Sequence, residues 1–207
     1  MVGNNVLHLI DRDLLRDAYR LTRKQSAPGG DQVPAPQYAA PVEDNLRDRH
    51  ERVRDKRSGA PPGERVWIEQ EGGKKRPRGK ACFEDTRVQR AGVRLLEAIF
   101  APDVQAFAHG VRQGHRPQQA LHALREQGRT LPINWIVDAE VRGGGDHVAW
   151  GLLRECIQQR GKEGGILRLI GKGRHAGVLE AGALTPPAKG TPQGGVATLP
   201  TKLQTCR

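Results

Sequence analysis

Residues 133–141, Ile-Asn-Trp-Ile-Val-Asp-Ala-Glu-Val, constrain this chain more than any other stretch. Read with a period of two, Ile133, Trp135, Val137, Ala139 and Val141 fall on one face, and Ile136, Asp138 and Glu140 on the other. The pattern predicts a β-strand with one packed face and two carboxylates exposed near its end. Gly143, Gly144, Gly145 and Asp146 then break it before a helical pattern that starts at Val148. A carboxylate pair at the mouth of a strand suits a divalent cation, and it is also what an ordinary solvated strand end looks like. The apolar face of such a strand needs neighbours to cover it; left open, it invites self-association.

With 207 residues the chain makes one domain or two small ones, long enough for a core. Only 4% of residues are aromatic, while 26 are Gly and 14 are Pro, so the core is thin and the connections are irregular. Lys and Arg number 34 against 23 Asp and Glu, a formal charge of +11, which favours a polyanionic partner over an acidic small molecule. Cys82, Cys156 and Cys206 are odd in number and widely spaced, so no disulfide framework is expected and a reducing compartment fits. No run approaches 18 apolar residues and no basic-then-apolar leader opens the chain, so a cytoplasmic protein without a membrane span is expected.

Along the chain, residues 11–22 read as a helix capped by Asp11, with Leu14, Leu15, Ala18 and Tyr19 as its stripe. Ser26-Ala27-Pro28-Gly29-Gly30-Asp31 is a turn. A second helix covers 41–57, with Val42, Leu46 and Val53 inside and a charged face that reads as solubilising. Residues 65–68 form a short strand, and Glu69 to Gly73 a hairpin-like turn. Lys74-Lys75-Arg76-Pro77-Arg78-Gly79-Lys80 follows, five basic residues in seven positions, in an extended setting suited to a phosphate backbone. Val88, Ala91, Leu95, Leu96 and Ile99 mark a helix over 85–100 that Pro102 ends. A glycine-spaced basic loop from Ala108 to Arg116 includes Arg112, and a helix through Leu121 and Leu124 comes next. Beyond the strand, a helix from Val148 to about Gln159 buries Leu152, Leu153 and Ile157, and residues 166–170 and 178–179 are shorter segments. Gly171 to Gly177 has neither nucleotide-binding spacing and reads as a basic loop, and the histidines show no zinc spacing.

Taken in order, these motifs resemble the reverse transcriptases encoded by bacterial group II introns, the intron-encoded maturases. Ala27-Pro28-Gly29-Gly30-Asp31 is similar to the end of that family's opening segment. Gly73 through Gly79, with Glu84, Asp85 and Gln89, resembles its fingers signature, although Thr86 stands where Arg is usual. His109 through Gly114 resembles its Gly-Phe-Arg-Pro-Gly turn with two replacements. Glu140 through Asp146 lies on the palm motif that normally opens with a catalytic Asp. Gly190-Thr191-Pro192-Gln193-Gly194-Gly195 is similar to the next palm motif.

The resemblance implies an α+β, right-hand polymerase architecture: fingers over 1–130, an incomplete palm over 131–207, and no thumb. It implies RNA as template, deoxynucleoside triphosphates and magnesium. Lys74, Lys75, Arg76, Arg78, Lys80, Arg112, Arg116, Gln193 and Gly194 would contact template or nucleotide. Glu140, with Asp138 beside it, would hold the metal and be catalytic, and Gly145 would occupy the steric-gate position. Glu140 replaces Asp, Gly145 replaces a bulky aromatic, and no Tyr-Ala-Asp-Asp hairpin occurs before Arg207. The expectation is therefore a truncated enzyme, catalytically incomplete without a complementing polypeptide. The alternatives are an RNA-binding remnant of the same lineage and a non-functional product.

Overall fold

The computed structural model of the chain describes residues 6–110, 114–139, 149–159, 164–180 and 182–185. Helix α1 (Arg12–Leu21) starts where Asp11 accepts the Leu14 N–H at 2.8 Å, the capping its sequence predicts. A short helix α2 (Ala35–Ala39) leads into α3 (Val42–Arg54), whose acidic first turn and basic last turn suit the helix dipole. Helix α4 (Phe83–Phe100) carries Glu84 and Asp85 at its start. Leu15 and Ala18 of α1, Leu46 and Val53 of α3, and Val88 and Ala91 of α4 form the main buried cluster. Ile166 of α7 (Gly164–Arg174) enters the same cluster, with Leu167, Leu169 and Ile170 packed against it. This packing corrects the reading of Gly171 to Arg174 as a loop, since all four residues lie in the last turns of α7. Two other helices, α5 (Pro117–Thr130) and α6 (Trp150–Gln158), complete the helical set among the described residues. Leu153 and Ile157 of α6 are buried as expected, whereas Leu152 is exposed.

A small open sheet of four strands flanks these helices, giving a mixed α+β fold. Its order is β2-β1-β3-β4, from β1 (Gly63–Glu69), β2 (Lys75–Lys80), β3 (Val178–Glu180) and β4 (Ala183–Thr185). β1 pairs antiparallel with β2 and parallel with β3. The β1–β2 turn closes through the Gln70 N–H donating to the Lys74 carbonyl at 2.8 Å. Gly72 and Gly73 take φ of +80° and +74° there, the left-handed region that side chains disfavour.

The expected strand at 133–141 is not observed over its described part. Residues 132–139 are irregular, and Trp135 is 88% exposed. Alternation supplies a face but no hydrogen-bonded neighbour, and no described strand pairs with this stretch. Glu140, Gly145 and the palm-like motif bearing Gln193 and Gly194 lie outside the described residues, as does Arg112.

Two arginines are buried among the described residues. Arg49, on the α3 face read as solubilising, is 2% exposed and donates to Glu84 at 3.1 Å and Asp85 at 3.2 Å. Arg52 reaches the other Glu84 oxygen at 2.5 Å, and the Gln89 amide donates to Asp85 at 2.6 Å. Glu84, Asp85 and Gln89 thus fasten α4 to α3. Arg87 lies with its guanidinium 3.7 Å from the ring centroids of both Tyr38 and Phe83, and without a hydrogen-bond acceptor among the described residues.

Candidate nucleic-acid interface

The β1–β2 hairpin gathers the basic run onto one projecting element. Because side chains alternate across a strand, the register assigns its two faces. Arg76, Arg78 and Lys80 lie opposite Ile68, Val66 and Glu64 on one face. Lys75, Pro77 and Gly79 lie opposite Glu69, Trp67 and Arg65 on the other. Lys74, Lys75, Arg76 and Arg78 are exposed. Lys74, Lys75 and Arg78 make no ion pair with the described residues, so their charge is available to a partner. Lys80 is half-buried at the hairpin base and reaches Glu64 at 3.4 Å, a partly compensated cation. Of the five predicted contacts in this run, Lys74, Lys75, Arg76 and Arg78 are thus exposed, Lys75 on the opposite face from Arg76 and Arg78, and Lys80 is partly structural.

The base of the hairpin is held by the Gly29-Gly30 turn. A Cβ on Gly29 would stand 2.7 Å from the Ala81 carbonyl oxygen and from the Cys82 backbone, and one on Gly30 would stand 2.7 Å from the Pro62 oxygen. Pro62 precedes β1 and Cys82 follows β2, so the two glycines let one turn touch both legs of the hairpin. Their placement gives the glycine pair of the sequence motif a physical task.

Cys82 itself is fully buried at the N-terminus of α4, and burial pushes its thiol up to about 11. At pH 8 about a thousandth of such a thiol is ionised. Cys82 should therefore resist iodoacetamide in the native chain. Its rate should climb about ten-fold per pH unit to near pH 11 rather than level off near 9. Peptide mapping of the alkylated protein, with and without urea, reads this directly; rapid labelling of Cys82 at pH 8 would contradict the burial.

The remaining predicted residues are dispersed. Arg116 is exposed at the start of α5, where its backbone N–H donates to the Gln119 side chain at 2.8 Å. In the same loop the Nδ1 atoms of His109 and His115 lie 3.2 Å apart, a pairing that sequence spacing did not reveal. A groove of about 760 Å³ between α6 and α7 is lined by Arg154, Arg168, Lys172 and His175 over Ile157 and Leu167, with no carboxylate among the described residues of its wall. Asp138 is exposed in the irregular stretch. Among the described residues no three Asp, Glu, His or Cys side chains converge to hold a metal ion. Glu140, the expected ligand, lies outside the described residues. No described helix is long and apolar enough to cross a membrane.

No protein-family model matches the chain. Among curated proteins it is 33% identical over 138 residues to the group II intron-encoded protein LtrA of Lactococcus lactis subsp. cremoris. Over part of its length the chain is homologous to group II intron-encoded proteins. It is also 29% identical over 139 residues to protein YkfC of Escherichia coli K12. An uncharacterized 91 kDa protein in a cob intron of Schizosaccharomyces pombe is 27% identical over 137 residues. The matches cover 65%, 65% and 66% of this chain, but only 22%, 36% and 17% of those proteins. The chain thus spans a minor part of each relative's length.

Proposed function

We propose that this chain is the fingers and part of the palm of an RNA-directed DNA polymerase of the group II intron-encoded kind, and that the β1–β2 hairpin is its contact with RNA. The observation that carries the reading is the hairpin: Lys74 at its turn and Lys75, Arg76 and Arg78 on β2 are exposed, on a base fixed by Gly29 and Gly30. Homology with LtrA supplies the lineage, and the cationic groove between α6 and α7 agrees with a polyanionic partner. In this reading residues 1–130 serve as fingers and 131–207 as palm. Arg112, Arg116, Gln193 and Gly194 add contacts to template or nucleotide. Asp138 and Glu140 would stand at the chemical centre, with Gly145 at the steric gate. Deoxynucleoside triphosphates and magnesium belong to the proposal through lineage alone.

The test is the salt dependence of RNA binding. Each neutralised phosphate contact on a single strand contributes a slope of about −0.7 to log affinity against log salt. Replacing Lys74, Lys75 and Arg76 together by Gln should therefore flatten the slope by about 2. Fluorescence anisotropy with a labelled single-stranded RNA between low and moderate salt measures it. An unchanged slope would remove the hairpin as the interface.

A further inference from the structure

The cationic face of the hairpin explains attraction to phosphate but leaves the opposite face unexplained. Trp67 lies at the centre of that face, 48% exposed, with Pro77 directly across in β2. Its indole Nε1–H donates to Glu180 Oε1 of β3 at 2.7 Å, and Glu180 Oε2 accepts from Arg65 Nη1 at 3.1 Å. Arg65 is two residues before Trp67, hence on the same face. The ring is therefore fixed by a carboxylate that is itself ion-paired, while about half its surface stays in water. A tryptophan placed for packing buries most of its large apolar area. This one is oriented without being covered. Lys75 is exposed on the same face, one cross-strand pair farther along, and makes no ion pair with the described residues.

We infer that Trp67 is a stacking platform for an unpaired nucleobase of RNA, with Lys75 beside it for the adjoining phosphate. A flat ring next to a cation is the combination that binds single strands, because every base offers a π-face. A duplex hides those faces within its own stack and presents phosphates and groove edges instead. Trp67 thus gives the interface its preference for unpaired RNA, while the cations supply the salt-dependent affinity. The inference rests on the hairpin being the RNA contact proposed above, and it adds the class of RNA taken.

Two RNAs test it: a single-stranded uridine 12-mer and a blunt RNA duplex of equal length, each titrated by anisotropy into the full 207-residue chain. Trp67→Leu should weaken the single strand roughly ten-fold, leave its salt slope unchanged, and leave the duplex within two-fold of the parent. Trp67→Phe keeps a ring and should recover most of the affinity. Unlabelled 12-mer should quench the tryptophan emission of the parent chain, and Trp67→Phe should remove that quenching. The quenching comparison keeps the test decisive even if the leucine variant misfolds. Equal losses on strand and duplex, no loss on either, or quenching that persists in Trp67→Phe would each overturn the inference. The Lys74, Lys75 and Arg76 variant separates the two ideas. A flattened salt slope with no effect of Trp67 defeats only the stacking platform; an unchanged slope defeats the hairpin reading itself.

Discussion

Replacing Arg49 with alanine should lower the stability of the chain by about 3–5 kcal/mol, the usual cost of removing one partner from a buried ion pair. The guanidinium is 2% exposed and bridges Glu84 and Asp85 of α4 from α3, so solvent does not screen the contact. Glu84 would keep Arg52, but Asp85 would lose the cation it faces and keep only the Gln89 amide. Burial already pushes the Asp85 carboxyl up, with Gln89 and Arg49 holding it down. Removing Arg49 should push it further. A carboxyl raised in the folded state binds its proton there before the unfolded chain does. The deficit of the variant should accordingly narrow as pH falls toward the ordinary carboxylate range. Arg49→Lys keeps the charge but loses the forked geometry and should fall between the two. Urea midpoints from pH 7 down to pH 5 measure all three proteins. A loss under about 1 kcal/mol for the alanine variant would show that the bridge does not fasten α3 to α4.

Gly29→Ala should cost about 1–3 kcal/mol, because the added methyl meets backbone and no flexible side chain can move aside. Its Cβ would lie 2.7 Å from three backbone atoms of Ala81 and Cys82, so either the turn or the end of the hairpin must shift. The matched control is Gly59→Ala, where nothing lies within 4 Å of the added Cβ. That variant should stay within about 0.5 kcal/mol of the parent, as surface substitutions do. Thermal melts followed by circular dichroism compare the pair. Equal behaviour of the two alanine variants would mean that the turn does not seat against the hairpin as described.

Periodicity and capping determined the helical half of this protein. Asp11, the Leu15–Ala18 stripe, the Leu46–Val53 pair and the Val88–Ala91 stripe each specify a helix and its inward face from a few neighbouring residues. The hairpin was legible for the same reason, because Gly72 and Gly73 set its turn locally. What only tertiary structure decided depends on groups far apart in the chain. Residues 133–139 have a strand's alternation, but a strand is completed by another strand's hydrogen bonds, and the described residues offer none there. The glycines of Gly171-Lys172-Gly173 read as loop punctuation, yet α7 runs through them because Ile166, Leu167 and Ile170 pack into the core. Arg49 is one charge among many on α3 until Glu84 and Asp85, 35 and 36 residues later, meet it in a buried contact. Trp67 is likewise one residue of a short strand until Glu180, 113 residues on, fixes its ring. Local spacing can specify which residues share a face; it cannot specify what that face will meet, since the partners come from folding and their separation in sequence carries no periodic signal.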